Sequence, residues 1–350
     1  MLNRTQISIP NLVRVKPGAV GRVGIYARRN AFSEIVVLHS ADLQPDLMNK
    51  LCDGLKAENI TVLQRWPIQE ASFEQARALF PQLPAKTRAI VGFGGGKALD
   101  VAKYMAFLTR LPYLAVPTSL SNDGFCSPQS SLTLEGKRKS LPSAMPFGVA
   151  IDTEVCLAAP EILWLAGVGD LVAKLTAVTD WKLAFNAVGT PVDDFAALLS
   201  DATVFQFIAR PRRDLEGVRL LGTSLMLNGI AMEVCGSSRP ASGSEHLISH
   251  ALDSLGGPPR MHGLQVGVAT YLVSLLQGKN SELIADLFEK TGFWRAIEAQ
   301  PFHRAAWLQA LRIAPSIKQD FYTVLSSRDC LPEAEAFLRT DPHLRKCVVD

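Results

Sequence analysis

The sequence predicts an α/β N-terminal domain built on a doubly wound parallel sheet, followed by an all-α C-terminal domain. Three features carry this: strand-length apolar runs alternate with helical periods in the first half, a glycine loop directly follows one of those runs, and strand signals nearly vanish after Pro160. In order, residues 34–39 (Glu-Ile-Val-Val-Leu-His) predict a buried strand, 44–57 a helix, 60–63 a strand and 73–80 a helix. Residues 89–92 then predict a strand, 98–108 a helix and 113–116 a strand. The alternation in Leu12-Val-Arg-Val, with a helix expected from Pro17, precedes this series. After residues 133–134, a turn at 135–137 and a second run ending in 147–152, the chain reads as helices, among them 171–187, 218–235 and 266–277. The expected boundaries are 1–158 and 159–350, and without a low-complexity linker a shared interface with a cleft is expected.

At 350 residues, with 48% hydrophobic and 20% charged residues, the chain can bury two cores, which excludes disorder. A net charge of +3 and a longest basic run of only Lys137-Arg138-Lys139 argue against a nucleic-acid partner. The six cysteines include no Cys-x-x-Cys pair, as expected of thiols in a reducing compartment. The N-terminus lacks a signal-peptide apolar run, and no later segment is read as reaching the ~20 apolar residues of a membrane span. Arg14, Arg22, Arg28 and Arg29 lie in an acid-free stretch that a transit peptide would share, but the strand-like alternation favours folded structure. A cytoplasmic protein is expected.

Three of the six histidines fall together, in Ser242-Gly-Ser-Glu-His246-Leu-Ile-Ser-His250 and Met261-His262-Gly263. His246 and His250 are four apart and share one helix face, while Gly256-Gly-Pro-Pro ends that helix and lets a second begin at His262. Neutral imidazole is the commonest ligand of catalytic transition metals, although buried histidines also serve as hydrogen-bonded core residues. Leu247 follows His246 where a zinc-protease helix needs glutamate, so that hydrolase reading is poor.

Gly94-Gly95-Gly96 lies between a strand and a helix, where backbone N–H groups and the helix N-terminus favour a phosphate. Ala98 after Lys97 excludes a Walker loop, and Leu99 breaks the G-x-G-x-x-G spacing; a plain glycine turn is the alternative. The loop after the next strand, Pro117-Thr118-Ser119-Leu-Ser-Asn122-Asp123-Gly124, lies at the same sheet edge, with hydroxyls suited to a cofactor and an aspartate suited to substrate.

The series Gly94-Gly-Gly-x-x-x-Asp100-x-Ala-Lys103, Pro117-Thr-Ser, Asp123-Gly-x-x-Ser127-Pro, Gly169-Asp170-x-x-x-Lys174, Ser242-Gly-Ser-Glu-His246-x-x-x-His250 and His262-Gly-x-Gln265-Val resembles the sn-glycerol-1-phosphate dehydrogenase family. That family belongs with glycerol dehydrogenase, iron-containing alcohol dehydrogenases and 3-dehydroquinate synthase. The resemblance runs from about residue 5 to 330 and implies a Rossmann-like first domain within a dehydroquinate synthase-like fold. It implies a divalent metal, zinc first and otherwise iron or nickel, on Asp170, His246 and His262, with His250 beside the substrate. It implies NAD(P) resting on Gly94, Gly95 and Gly96, near Thr118, Ser119 and Ser127, with Asp100 bracing the loop or contacting cofactor.

The implied reaction is reversible reduction of dihydroxyacetone phosphate to sn-glycerol 1-phosphate, with His250 or Asp123 relaying the proton, in a homo-oligomer. A phosphorylated triose or polyol needs cationic partners, for which Lys137, Arg138, Lys139 and Lys174 are candidates, although hairpin tips are often basic for solubility alone. Leu264 replaces the glutamate of the family's usual His-Gly-Glu-Gln, and Asn122 replaces the histidine of Ser-His-Asp. No acid follows the strand ending at His39 until Asp42, so NAD is not distinguished from NADP. A related glycerol, polyol or biosynthetic-cluster dehydrogenase, a dehydroquinate synthase-like lyase and a non-catalytic nucleotide-binding protein are the alternatives.

Overall fold

The computed structural model describes residues 7–350. The first six residues, which begin both the segment read as lacking a signal peptide and the expected first domain, lie outside the described residues. The chain divides into two compact units: residues up to Ala159 together with Asp214–Glu233, and Pro160–Arg213 together with Val234–Asp350.

The first unit contains β1 (Leu12–Lys16), α1 (Val23–Arg29), β2 (Glu34–Ser40), α2 (Pro45–Ala57), β3 (Thr61–Ile68), α3 (Phe73–Leu79), β4 (Ala89–Gly94), α4 (Gly96–Thr109) and β5 (Tyr113–Pro117). A hairpin of β6 (Gln129–Leu134) and β7 (Lys137–Pro142) follows, then β8 (Gly148–Asp152) and α5 (Thr153–Ala158). Six strands form one wholly parallel sheet in the order β1-β8-β5-β4-β2-β3. From β2 the chain moves outward to β3, then crosses back to place β4 on the other side of β2. Such a reversal opens a crevice at the carboxyl ends of the two strands, the usual ligand position in open α/β sheets.

Two elements differ from expectation for identifiable reasons. The helix expected from Pro17 begins later, as a 3₁₀ turn at Val20–Arg22 leading into α1. Gly18 turns the chain at φ +71°, and the buried Asp152 carboxylate accepts the Gly18 and Val20 amides, both at 3.1 Å. Strand β3 extends to Ile68, beyond the expected 60–63, because it pairs only with β2. An edge strand can carry outward polar residues and Pro67 without losing a ladder bond.

Helix α6 (Glu161–Val188), α7 (Asp194–Ile208) and α8 (Leu215–Cys235) follow. Most of α8 groups with the sheet unit despite its place among the helices. A methyl group on Gly229 would stand 1.5 Å from the Cys126 carbonyl oxygen, so this helix lies backbone to backbone against the turn after Asp123. The expectation that no segment is long and apolar enough to span a membrane is corrected: α6 and α8 both are, by length and composition. Their most apolar stretches are 83% and 67% buried within the protein, and a helix packed on most sides is apolar on most sides.

The second unit also holds α9 (Ser244–Ser254), α10 (His262–Gln277), α11 (Ser281–Thr291), α12 (Phe293–Ala299) and a two-residue strand, β9 (Phe302–His303). Helix α13 (Arg304–Ile313), a further helix of the same length at Leu331–Thr340 and shorter elements complete it. Helices α6 and α10 cross at glycine. A methyl on Gly169 would lie 2.1 Å from the Gly263 carbonyl oxygen, and one on Gly263 would lie 2.0 Å from that of Ala166.

Candidate metal centre

That crossing sets Asp170, one residue after Gly169, against His262, one residue before Gly263. Asp170 Oδ1 lies 3.5 Å from His246 Nε2 on α9 and 3.9 Å from His262 Nε2. One ligand atom from each of the three residues falls within 4.8 Å of the others. Asp170 and His246 are buried, and the His262 side chain is 23% exposed.

Each imidazole has its Nδ1 engaged away from this point. His246 Nδ1 lies 2.8 Å from Glu245 Oε1, a carboxylate that can only accept, so Nδ1 carries a proton and Nε2, turned toward Asp170, is the nitrogen that a neutral ring offers as ligand. Ser249 Oγ donates to Gln265 Oε1 at 3.1 Å and therefore accepts from His262 Nδ1, also at 3.1 Å. Both rings thus present a basic Nε2 beside a carboxylate, as metal-ligating histidines do. One carboxylate and two neutral imidazoles leave the remaining positions of a divalent metal open, the donor set of a catalytic site.

Without a metal this cluster shares protons tightly. Burial alone would raise the Asp170 pKa, but the Lys174 ammonium and the contact with His246 outweigh it and hold the carboxyl below its ordinary range. His246 shifts the other way, up to about 9: burial opposes its charge, and the Asp170 and Glu245 carboxylates overcome that opposition.

His250 lies one turn after His246, with ring centroids 6.3 Å apart and 5.7 Å between His250 and His262. It borders the three-residue cluster without belonging to it. Lys174, a sequence candidate for substrate phosphate, is fully buried; its Nζ lies 3.7 Å from Asp170 Oδ2 and donates to the Ala241 carbonyl at 3.2 Å. Leu264, where the resemblance leads one to expect a carboxylate, is a buried apolar residue. The imidazoles are oriented instead by Glu245 and Ser249, which the sequence reading did not select. Glu245 was hidden because adjacent helical side chains normally diverge. Here the carboxylate also accepts the Thr176 hydroxyl at 2.8 Å and the Gly243 amide at 2.5 Å, which turns it toward the ring.

In the sheet unit, Gly94 ends β4 at φ +139°, and a Cβ there would stand 2.2 Å from Ser40 Oγ at the end of β2. The glycine loop therefore sits at the crevice where strand order reverses. The Gly95 amide donates to Ser40 Oγ at 2.9 Å, and α4 starts at Gly96. Thr118 donates its amide to the Gly94 carbonyl at 3.0 Å, which brings Thr118 and the half-buried Ser119 to the same edge.

Asp123 opens a 3₁₀ turn, Asp123–Cys126, capped by the Asn122 side chain, which accepts the Gly124 amide at 2.9 Å. Beneath the turn, the fully buried Lys103 donates to the Gly124 carbonyl at 2.5 Å and to Ser127 Oγ at 3.2 Å, and its ammonium lies 3.5 Å from Asp100 Oδ1. Ser127 also donates to the Gln129 carbonyl at 3.0 Å, so its hydroxyl is occupied within the framework. Burial raises the Asp100 pKa and lowers that of Lys103, and the charge of each opposes the shift of the other. Of the basic hairpin residues, all exposed, Arg138 donates through Nε to Ser131 Oγ at 2.6 Å.

Residues 14–160 match the family described as iron-containing alcohol dehydrogenase. The chain is 33% identical over 333 residues to glycerol-1-phosphate dehydrogenase [NAD(P)+] of Metallosphaera sedula, covering 92% of this chain and 93% of that protein. It is 34% identical over 346 residues to the same enzyme of Aeropyrum pernix, covering 95% and 97%. Among solved structures, glycerol dehydrogenase from Schizosaccharomyces pombe aligns with a TM-score of 0.74 at 20% identity, over 95% of this chain and 90% of that one. Sulfoacetaldehyde reductase from Bifidobacterium kashiwanohense in complex with NAD+ aligns with a TM-score of 0.72 at 16% identity, over 96% and 99%.

Proposed function

The chain belongs to the glycerol-1-phosphate dehydrogenase family, and on that premise we propose that it catalyses the NAD(P)-dependent, reversible reduction of dihydroxyacetone phosphate to sn-glycerol 1-phosphate. The observation that carries this reading is the convergence of Asp170 Oδ1 with two imidazole Nε2 atoms, each fixed by a partner at Nδ1.

When bound, a metal supplies Lewis acidity toward the substrate carbonyl, and NAD(P)H supplies the hydride. Asp170, His246 and His262 would hold the metal. Glu245 and Ser249 keep both Nε2 lone pairs turned to one point, and Lys174 holds Asp170 as a carboxylate. A ring nitrogen of His250 passes a proton to the substrate oxygen, with the Asp123 carboxyl as the second candidate relay. The glycine loop Gly94, Gly95 and Gly96, its Gly95 amide held by Ser40 Oγ, and the hydroxyls of Thr118 and Ser119 form the seat of the cofactor pyrophosphate. Asp100, Lys103 and Ser127 hold the turn that carries Asp123.

Zinc is the proposed metal, and the same donors serve iron or nickel. The nucleotide site belongs to the sheet unit and the metal site to the helical unit. A cytoplasmic homo-oligomer is proposed, supported by Phe185, Phe195, Leu198 and Phe205, all more than half exposed on α6 and α7. Comparing turnover of dihydroxyacetone phosphate with that of dihydroxyacetone tests the reading. No preference for the phosphate would move the chain to the polyol dehydrogenases, and absence of net NAD(P)H consumption would move it to the lyases.

A further inference from the structure

Two cations in the helical unit lie against one phenylalanine ring. The Arg239 guanidinium carbon is 3.7 Å from the Phe321 ring centroid, and the Lys318 ammonium is 4.0 Å from it. Arg239 is 4% exposed, while Lys318 is exposed as a residue even though its ammonium packs on the ring. Among the described residues neither cation has a salt bridge to a carboxylate. The acid that acts on Arg239, Asp180, instead accepts the Ser244 amide at 2.7 Å, the Val324 amide at 2.9 Å and the Gln277 side-chain amide at 2.9 Å. Burial raises its pKa to about 6, so near neutral pH it is still a carboxylate, but one committed to those three N–H donors.

Two like charges gathered without a carboxylate partner are costly unless an anion joins them. Most of their donors are uncommitted. Arg239 spends Nη1 on the Tyr322 carbonyl at 2.6 Å, and Lys318 spends one N–H on Ser238 Oγ at 2.9 Å. A guanidinium fork, an ammonium and the hydroxyls of Ser237 and Ser238 are the donors that phosphate monoesters select.

The turn carrying Arg239 is also coupled to the candidate metal ligands. Ala241 and Ser242 donate their amides to the Ser238 carbonyl at 3.0 and 2.8 Å, and the Ala241 carbonyl accepts from Lys174, the counterion of Asp170. Arg239 precedes Ala241 by two residues, a span of at most ~7 Å between Cα atoms.

We infer that Arg239 and Lys318, with the Ser237–Ser238 hydroxyls, form the subsite for the phosphate group of the substrate. This rests on the proposed function and names the residues that recognise its phosphorylated substrate. It also separates that role from Lys174, which is buried against Asp170, and from the exposed hairpin of Lys137, Arg138 and Lys139.

The test uses the metal-loaded full-length enzyme and its Lys318→Met, Lys318→Arg and Arg239→Met variants. Inorganic phosphate should compete with dihydroxyacetone phosphate in the parent enzyme. In Lys318→Met and Arg239→Met, the ratio of kcat/KM for dihydroxyacetone phosphate over dihydroxyacetone should fall at least tenfold and the inhibition constant of phosphate should rise at least tenfold. Lys318→Arg should recover most of both. Should Arg239→Met fail to fold, Lys318→Met carries the test, since its side chain is exposed. Unchanged ratios in variants of an enzyme that does prefer the phosphate would overturn the subsite, leaving the cations as a clamp on Phe321. A loss seen with NADPH but not with NADH would overturn it in favour of the cofactor's extra phosphate. A parent enzyme without preference for dihydroxyacetone phosphate would overturn the proposed activity and the subsite with it.

Discussion

Gly169 and Gly263 meet backbone to backbone, with the Gly263 carbonyl oxygen 2.1 Å from the place a Gly169 side chain would take. Each glycine is next in sequence to a candidate ligand, Asp170 or His262. Gly169→Ala should therefore force α6 away from α10, costing about 1–3 kcal/mol. Chelator competition should show weakened metal binding in a variant whose circular dichroism is that of the parent. Parental metal affinity would mean that the crossing does not set the ligand spacing.

His246 and His250 share a helix face but not a role. His246→Ala should lose metal and activity together, whereas His250→Ala should retain stoichiometric metal and turn over more slowly. Metal analysis of the two purified variants decides this, and equal metal loss in both would remove the division.

Glu245 lies 2.8 Å from His246 Nδ1 and is wholly buried. Losing such an outer partner typically weakens metal binding about 10–100-fold. Glu245→Ala should show that loss, and Glu245→Gln, which retains an acceptor oxygen, a smaller one. Equal affinity in all three proteins would reduce Glu245 to a packing residue.

Lys103 and Asp100 form a buried pair beneath the Asp123 turn. Lys103→Met leaves Asp100 buried without its partner, a change that costs about 3–5 kcal/mol. The double variant Asp100→Leu, Lys103→Met should be less destabilised than the single one. Denaturant midpoints measure both, and additive losses would show that the pair is not coupled.

Lys318 is pushed down to about 8, first by desolvation and then by the charge of Arg239, which lies against the same Phe321 ring. Its ammonium is present below that pH and lost above it, whereas a phosphate monoester is already dianionic above about pH 6. The kcat/KM for dihydroxyacetone phosphate should therefore decline as pH rises past about 8. Lys318→Arg, which stays charged, should lack that break. A break that persists in Lys318→Arg would assign it to another group.

The alternation of apolar runs was enough to predict the parallel sheet, because strands buried on both faces read as continuous Val, Ile and Leu. The glycine loop was equally legible, since Gly94 follows a strand directly and only glycine tolerates φ +139° there. The pair His246 and His250, and the return of the chain at His262, followed from helical spacing and the Gly256-Gly-Pro-Pro break. Asp170 entered the ligand set only through a resemblance, because it lies 76 residues before His246 and no local pattern joins them. Helix α8 was read correctly as a helix but not as a neighbour of the sheet, since that depends on Gly229 meeting Cys126.

Sequence alone thus determined which segments are strands and helices, and which residue types stand ready for phosphate and metal, because these depend on periodicity and on chemistry within a few residues. Tertiary structure decided which groups face one another. The close approach of α6 and α10 at glycine sets Asp170 against His262, the fold of Glu245 and Ser249 onto the imidazole Nδ1 atoms sets their tautomers, and the turn after Cys235 carries Arg239 to Phe321 and Lys318. Those pairings depend on distances between residues far apart in the chain, which packing sets and local sequence does not encode.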